Sequence, residues 1–192
     1  MAVEIEIKAR LDDFAPVKER LSEWGEYYRS YTKSDVYWLP GQANDGIPSG
    51  VRIRRDRGID ADGAASEVVL VTYKTKEIFD GVEVNDESEF TVSDAVPFEA
   101  LLLNLGLREA IRKEKQGWAW NIEGQPPILA ELSLVTGLGW FLEIEIQAAN
   151  NQRQTVEESR RRLLAALEKL EIPPERIEPR PYTVMLREKG VR

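Results

Sequence analysis

The sequence predicts an α+β domain: about eight strands closed into a β-barrel with charge on its inner face and helices packed outside. Three observations carry this. Six segments alternate apolar and charged residues, the mark of strands with successive side chains on opposite faces. Within each of those segments, charges of one sign sit two residues apart. Between them lie three segments with apolar residues at helical spacing.

The elements follow in order. VEIEIKAR, residues 3–10, reads as a strand with Glu4, Glu6 and Lys8 on one face and Ile5 and Ile7 on the other. Phe14, Val17 and Leu21 then recur at helical spacing over 13–24; Asp12 or Asp13 can cap, and Gly25 ends the helix. SDVYWLP is a strand closed by Pro40, and PGQANDGIPSG is a loop. GVRIRR and SEVVLVTYKTKE pair as a hairpin around DRGIDADGAAS. DGVEVNDESEFTV is extended. A helix over 95–105 has Leu101, Leu102 and Leu105 as its apolar side and Gly106 at its end. AIRKEKQGWAWNI and PILAELSLV form a second hairpin around EGQPP, followed by the strand GLGWFLEIEIQA. The helix over 156–170 has a capping box at Thr155 and Glu158 and an apolar side of Leu163, Leu164, Leu167 and Leu170; Pro173 and Pro174 end it. RPYTVMLREKG closes the chain as a last helix. With no repeat or linker in view, residues 1–192 are expected to form one domain.

Composition narrows the chemistry. The absence of cysteine and histidine excludes disulfides, thiolate catalysis, His-based triads and His-ligated zinc. A metal would have to sit on oxygens, which favours Mg2+ or Mn2+, or calcium. The net charge of −8 argues against a general nucleic-acid or anionic-membrane binder, though not against a local basic pocket. No apolar run approaches the ~20 residues of a membrane span. The start, Met-Ala-Val-Glu, lacks the basic and apolar regions of a secretion signal, so a cytoplasmic location is expected.

Like charges beside one another on a strand repel, so their recurrence needs a reason. The acidic pairs are Glu4/Glu6, Glu87/Glu89 and Glu143/Glu145; the basic pairs are Arg52/Arg54, Lys74/Lys76 and Lys113/Lys115. Singly, each pair is most simply a wet strand face. Together they fit a barrel with a charged lumen and an apolar exterior covered by the three helices. Six basic groups would take a polyanion, arginine forks making bidentate phosphate contacts. Carboxylates would hold divalent cations beside phosphate oxygens. The combination reads as a site for a metal-bound triphosphate.

The sequence resembles the CYTH superfamily, the triphosphate tunnel metalloenzymes. The signature ExExK appears as Glu4-Ile5-Glu6-Ile7-Lys8, and SDVYW, GVRIRR, VTYKTKE, ESEF, KEK, LVTGLGWFLEIEI and RPYTVML follow in the family's order. The resemblance implies an eight-stranded antiparallel tunnel acting on a triphosphate with Mg2+ or Mn2+. It implies a metal set of Glu4, Glu6, Glu89, Glu143 and Glu145. Lys8, Arg52, Arg54, Lys74, Lys76, Lys113 and Lys115 would be the substrate-binding cations, and Glu4, Glu6, Lys8, Glu143 and Glu145 the catalytic groups. Two positions depart from the pattern. Ser133 stands where the family often has Asp, with Glu131 on the same strand face either reaching in or simply exposed. Lys115 stands where Arg is commoner.

The implied activity is hydrolysis of a triphosphate (inorganic, thiamine or nucleoside) releasing orthophosphate. A class IV adenylyl cyclase making cyclic AMP and pyrophosphate is the alternative, although the His-Phe that precedes ExExK in those cyclases is absent. A non-catalytic polyphosphate or nucleotide binder is the other. The expected partner is the triphosphate small molecule, with no nucleic acid and no membrane; a homodimer is left open. Trp118 and Trp120 share a strand face and would serve either to stack a ring of the substrate or, more commonly, to pack. Tyr182 would border or plug the tunnel, or pack, and Arg160–Arg162 form a solvated helix face.

Overall fold

The computed structural model describes residues 3–40, 50–79 and 82–190, with backbone alone for 74–79, 82 and 85–87. Eight strands run in chain order: β1 (Val3–Leu11), β2 (Glu26–Pro40), β3 (Val51–Asp60), β4 (Ala65–Phe79), β5 (Val82–Val92), β6 (Leu107–Ile122), β7 (Ile128–Val135) and β8 (Gly139–Ala148). They pair antiparallel in the order β1-β5-β4-β3-β2-β6-β7-β8, and β8 returns to β1. The seam between β1 and β5 is short, from Val3 opposite Asp86 to Glu6 opposite Glu83. Of the loop expected over 40–50, residues 41–49 lie outside the described residues.

The helices are α1 (Ala15–Trp24), α2 (Ala95–Asn104), α3 (Arg153–Lys169) and α4 (Tyr182–Glu188). None among the described residues is long and apolar enough to cross a membrane. The outer face of β1, β6, β7 and β8 is apolar, as the alternation requires. Ile5, Ile7, Trp120, Leu132, Leu142 and Ile144 pack there against Leu21 of α1 and Leu163 and Leu167 of α3, all but Leu167 at 1 % exposure or less. Each such side chain contributes roughly 1.5–3 kcal/mol by leaving water. Val36, Trp38, Ile53 and Val71 pack on Ala95 and Leu102 of α2. The barrel is thus apolar outside and charged inside, the reverse of a small barrel filled with aliphatic side chains.

Several boundaries differ from the sequence expectation. β2 starts at Glu26, eight residues before SDVYWLP, because its inward positions are charged and aromatic and show no apolar alternation. In α2 only Leu102 of the expected apolar side is buried; Leu101 and Leu105 are exposed. α3 begins at Arg153 after Gln152, so Thr155 lies inside the helix, where its hydroxyl bonds Asn150, and caps nothing. In α1, Phe14 is the cap position, while Asp13 accepts the Ala15 amide. Arg162 is no solvated bystander: its guanidinium donates to the Gln125 and Pro126 carbonyls. α4 does not lie on the exterior. Tyr182, Met185 and Leu186 pack with Ile111, Val135, Leu138 and Phe141, and Tyr182, Thr183 and Val184 border the space inside the barrel.

Candidate functional site

The inward residues of all eight strands line a cavity of about 460 Å3. Register fixes who meets whom. Glu6 lies directly opposite Glu145 across β1 and β8, with Glu4 one inward position further along. The carboxylate oxygens of Glu4, Glu6 and Glu145 fall within 4.8 Å of one another. Burial, with the charges of Glu131 and Glu6, pushes the Glu145 carboxyl up to about 7. Glu145 is enclosed by protein yet touches solvent through the lumen. Three acidic oxygens in this space suit a hard divalent cation, which takes oxygen ligands and would relieve their repulsion. The donor set therefore fits Mg2+ or Mn2+.

The rest of the lumen is a mesh of paired charges. Asp35, fully buried, accepts Arg54 Nε at 2.7 Å and Nη2 at 2.9 Å, and Lys113 Nζ lies 3.0 Å away. Burial opposes its ionisation, but Arg54 and Lys113 hold it well below the usual carboxylate range. Lys115 donates to Glu131 at 2.8 Å and also to Glu143; Lys33 donates to the other Glu131 oxygen. Burial resists charge on Glu143, yet Lys115 brings it down to about 2. Burial pulls Lys33 down to about 8 against the attraction of Glu131. Arg52 bonds the Thr72 hydroxyl at 2.9 Å and lies 3.4 Å from Glu89, which also accepts from Thr72. Lys8 lies 3.7 Å from Glu83. Arg29 makes a two-pronged contact with Asp56 at 3.0 and 2.8 Å.

The expected site residues divide accordingly. Glu4, Glu6, Lys8, Arg52, Arg54, Glu89, Lys113, Lys115, Glu143 and Glu145 all line the cavity. The three-carboxylate cluster takes in Glu4, Glu6 and Glu145; Glu143 and Glu89 instead engage Lys115 and the Arg52/Thr72 pair. The side chains of Lys74, Lys76 and Glu87 lie outside the described residues. Glu131 reaches in and is buried. Ser133 is also fully buried, and among the described residues its hydroxyl makes no hydrogen bond of ordinary geometry.

Sequence reasoning missed Arg29, Lys33, Asp35, Asp56 and Glu83. For Arg29, Lys33 and Asp35 the signal was the β2 alternation Arg29, Tyr31, Lys33, Asp35, Tyr37, hidden by starting the strand at Ser34; Asp56 and Glu83 continue the inward alternation of β3 and β5. Tyr182 proves part of the lining: its ring lies 4.6 Å from the Lys8 ammonium and 5.0 Å from that of Lys113. Burial, with Glu143 and Glu6, raises its hydroxyl well above the ordinary value. Trp118 and Trp120 point outward. Trp118 stacks with Phe14 and Trp140, and Trp120 is buried in the outer core, so neither stacks a ring in the lumen.

Fold and site together define an antiparallel β-tunnel protein whose lumen sets clustered carboxylates among lysines and arginines. The chain belongs to the CYTH domain family, whose model matches residues 2–182. It is 29% identical over 172 residues to a Methanocaldococcus jannaschii protein named "Putative adenylate cyclase MJ0240", covering 86% of this chain and 89% of that one. Among solved structures it is similar to the PH1819 protein of Pyrococcus horikoshii, with TM-score 0.82, 26% identity, and 97% and 99% of the two chains covered. It shares the fold of a Hippeastrum protein described as having a dominant triphosphatase activity, with TM-score 0.64, 17% identity, and 100% and 97% covered.

Proposed function

We propose that the protein is a divalent-metal-dependent hydrolase of a triphosphate, inorganic triphosphate first, releasing orthophosphate. The observation that carries this is the juxtaposition, in one lumen, of Glu4, Glu6 and Glu145 with Lys8, Lys33, Arg52, Arg54, Lys113 and Lys115. Glu4, Glu6 and Glu145 would hold Mg2+ or Mn2+, which when bound supplies charge neutralisation and polarisation of phosphate oxygens. Arg54 presents a guanidinium already oriented by Asp35. Lys113 and Lys8, beside the Tyr182 ring, face the same space. Fixed cations of this kind position the anion and stabilise charge that grows on the leaving phosphate, the dominant contribution in phosphoryl transfer.

The described triphosphatase activity of the Hippeastrum protein supports the reading by fold analogy alone. The name of the M. jannaschii relative supports the cyclase alternative. The lining is dominated by charge; its aromatic members are Tyr28, Tyr37 and Tyr182, and the Tyr182 ring already lies beside the Lys8 and Lys113 ammoniums, which favours the bare polyanion over a stacked adenine. Inorganic triphosphate, thiamine triphosphate and ATP, each with Mg2+ and Mn2+, decide the matter. Orthophosphate from inorganic triphosphate, at least as efficiently as from ATP and stopped by EDTA, is the expected result. Cyclic AMP and pyrophosphate in equal amounts from ATP would establish the cyclase, and binding without any turnover would establish the non-catalytic reading.

A further inference from the structure

Four charged side chains meet on the wall formed by β2, β6, β7 and β8. Lys33 lies directly opposite Lys115 across β2 and β6, and Glu131 directly opposite Glu143 across β7 and β8. Each is a like-charge cross-strand pair, which by itself is unfavourable. The conflict is resolved across the β6–β7 boundary: Glu131 gives one oxygen to Lys33 and the other to Lys115, and Lys115 reaches on to Glu143. Both lysines are about 5 % exposed or less and line the cavity. An ammonium has three donors. Lys33 spends one on Glu131, and Lys115 one each on Glu131 and Glu143. That leaves two donors of Lys33 and one of Lys115 not engaged by these carboxylates, with the Tyr31 ring centroid 4.5 and 5.8 Å from the two ammoniums. Glu131 has both oxygens engaged by lysines and is not one of the three carboxylates that group together, although its charge is felt at Glu145.

We propose that Glu131 is a positioning residue that fixes Lys33 and Lys115 as a paired ammonium clamp for phosphate groups, with Lys33 a substrate-contacting cation. This rests on the polyanion reading above. It assigns Lys33 a role in binding and removes Glu131 from the metal ligands, although it is an acidic lumen residue one inward position from Ser133.

The test titrates wild type, Lys33→Met, Glu131→Gln, Glu131→Asp and Glu145→Gln with Mn2+ alone, and then with the non-hydrolysable diimido analogue of inorganic tripolyphosphate (the tripolyphosphate probe of the affinities below) in saturating Mn2+, by calorimetry. Lys33→Met is expected to weaken tripolyphosphate about tenfold, as loss of one charge-assisted contact would. It should leave Mn2+ affinity within about twofold of wild type. Glu131→Gln should likewise weaken tripolyphosphate and spare Mn2+, with Glu131→Asp recovering part of the loss; Glu145→Gln should lose Mn2+. In turnover, the Lys33 and Glu131 effects should fall more on KM than on kcat. The double variant Lys33→Met/Glu131→Gln removes both charges and keeps the test open if a single variant fails to fold; its loss should be smaller than the product of the single losses. Wild-type tripolyphosphate affinity in Lys33→Met, or in the double variant, would overturn the clamp. Loss of Mn2+ affinity in Glu131→Gln to the extent seen in Glu145→Gln would make Glu131 a metal ligand and overturn its positioning role. Failure of the wild type itself to bind tripolyphosphate would instead overturn the polyanion reading beneath both.

Discussion

Asp35→Asn should be among the most damaging single-atom changes in the lumen. Asp35 has no exposed surface on its side chain, and it balances two buried cations, Arg54 through both oxygens and Lys113 through one. The amide keeps the shape, removes the charge, and turns an NH2 toward donors. Breaking a buried ion pair from one side costs about 3–5 kcal/mol, because the remaining charge stays buried and uncompensated. With two cations stranded, the upper half of that range applies. At about 2–4 °C per kcal/mol for a chain of this size, the melting temperature should fall by roughly 8–20 °C. Scanning calorimetry of the metal-free protein at pH 7 measures it. Because Asp35 titrates well below the usual range, its stabilisation is complete above about pH 4 and is lost only as the pH falls through its depressed value. The gap between wild type and variant should therefore be constant from pH 5 to pH 8, on the order of the figure above, and close only in acid. A melting temperature within about 2 °C of wild type would refute the argument that Asp35 carries the charge balance of this wall.

Other outcomes follow from the same geometry. The folded state binds a proton on Glu145 more tightly than the unfolded chain does, its value rising from 4.5 to about 7. Metal-free protein should lose stability as pH rises through that interval, and Glu145→Gln should flatten the loss; an unchanged slope would reject the crowding. Gly117→Ala would place a methyl 2.0 Å from the Leu132 carbonyl oxygen. It should cost about 1–3 kcal/mol or more in urea unfolding, since backbone and not a flexible side chain must move. Trp118→Ala should lower stability by about 2 kcal/mol through loss of its outer stack, and leave KM for tripolyphosphate unchanged. A raised KM would return that tryptophan to the site.

Much of the site was readable wherever charge interrupts an otherwise apolar strand. In VEIEIK and FLEIEIQ the period of two is clean, so Glu4, Glu6 and Glu145 could be assigned to one face from the sequence alone. In β2 the inward face holds Arg29, Tyr31, Lys33, Asp35 and Tyr37, and a register shift near Tyr28 breaks the period. No local rule separates such a face from a wet one, so the sequence pattern marks only the part of the strand from Ser34 onward. α2 failed for the opposite reason: it is apolar on nearly all sides, so periodicity could not tell which leucine the sheet would cover.

The order of residues alone dictates the alternation that makes six strands amphipathic, the oxygen-only ligand chemistry that follows from having neither histidine nor cysteine, and the signs of the charges on those strands. The tertiary structure decided their partners. β1 meets β8 in a register that sets Glu6 against Glu145, which makes an acidic cluster; β7 meets β6 and β8 so that Glu131 falls between lysines, which does not. A carboxylate in a strand is the same residue in either place. Whether it holds a cation from solution or an ammonium of the protein depends on what the neighbouring strands bring within a few ångströms, and that is fixed only when the sheet closes on itself.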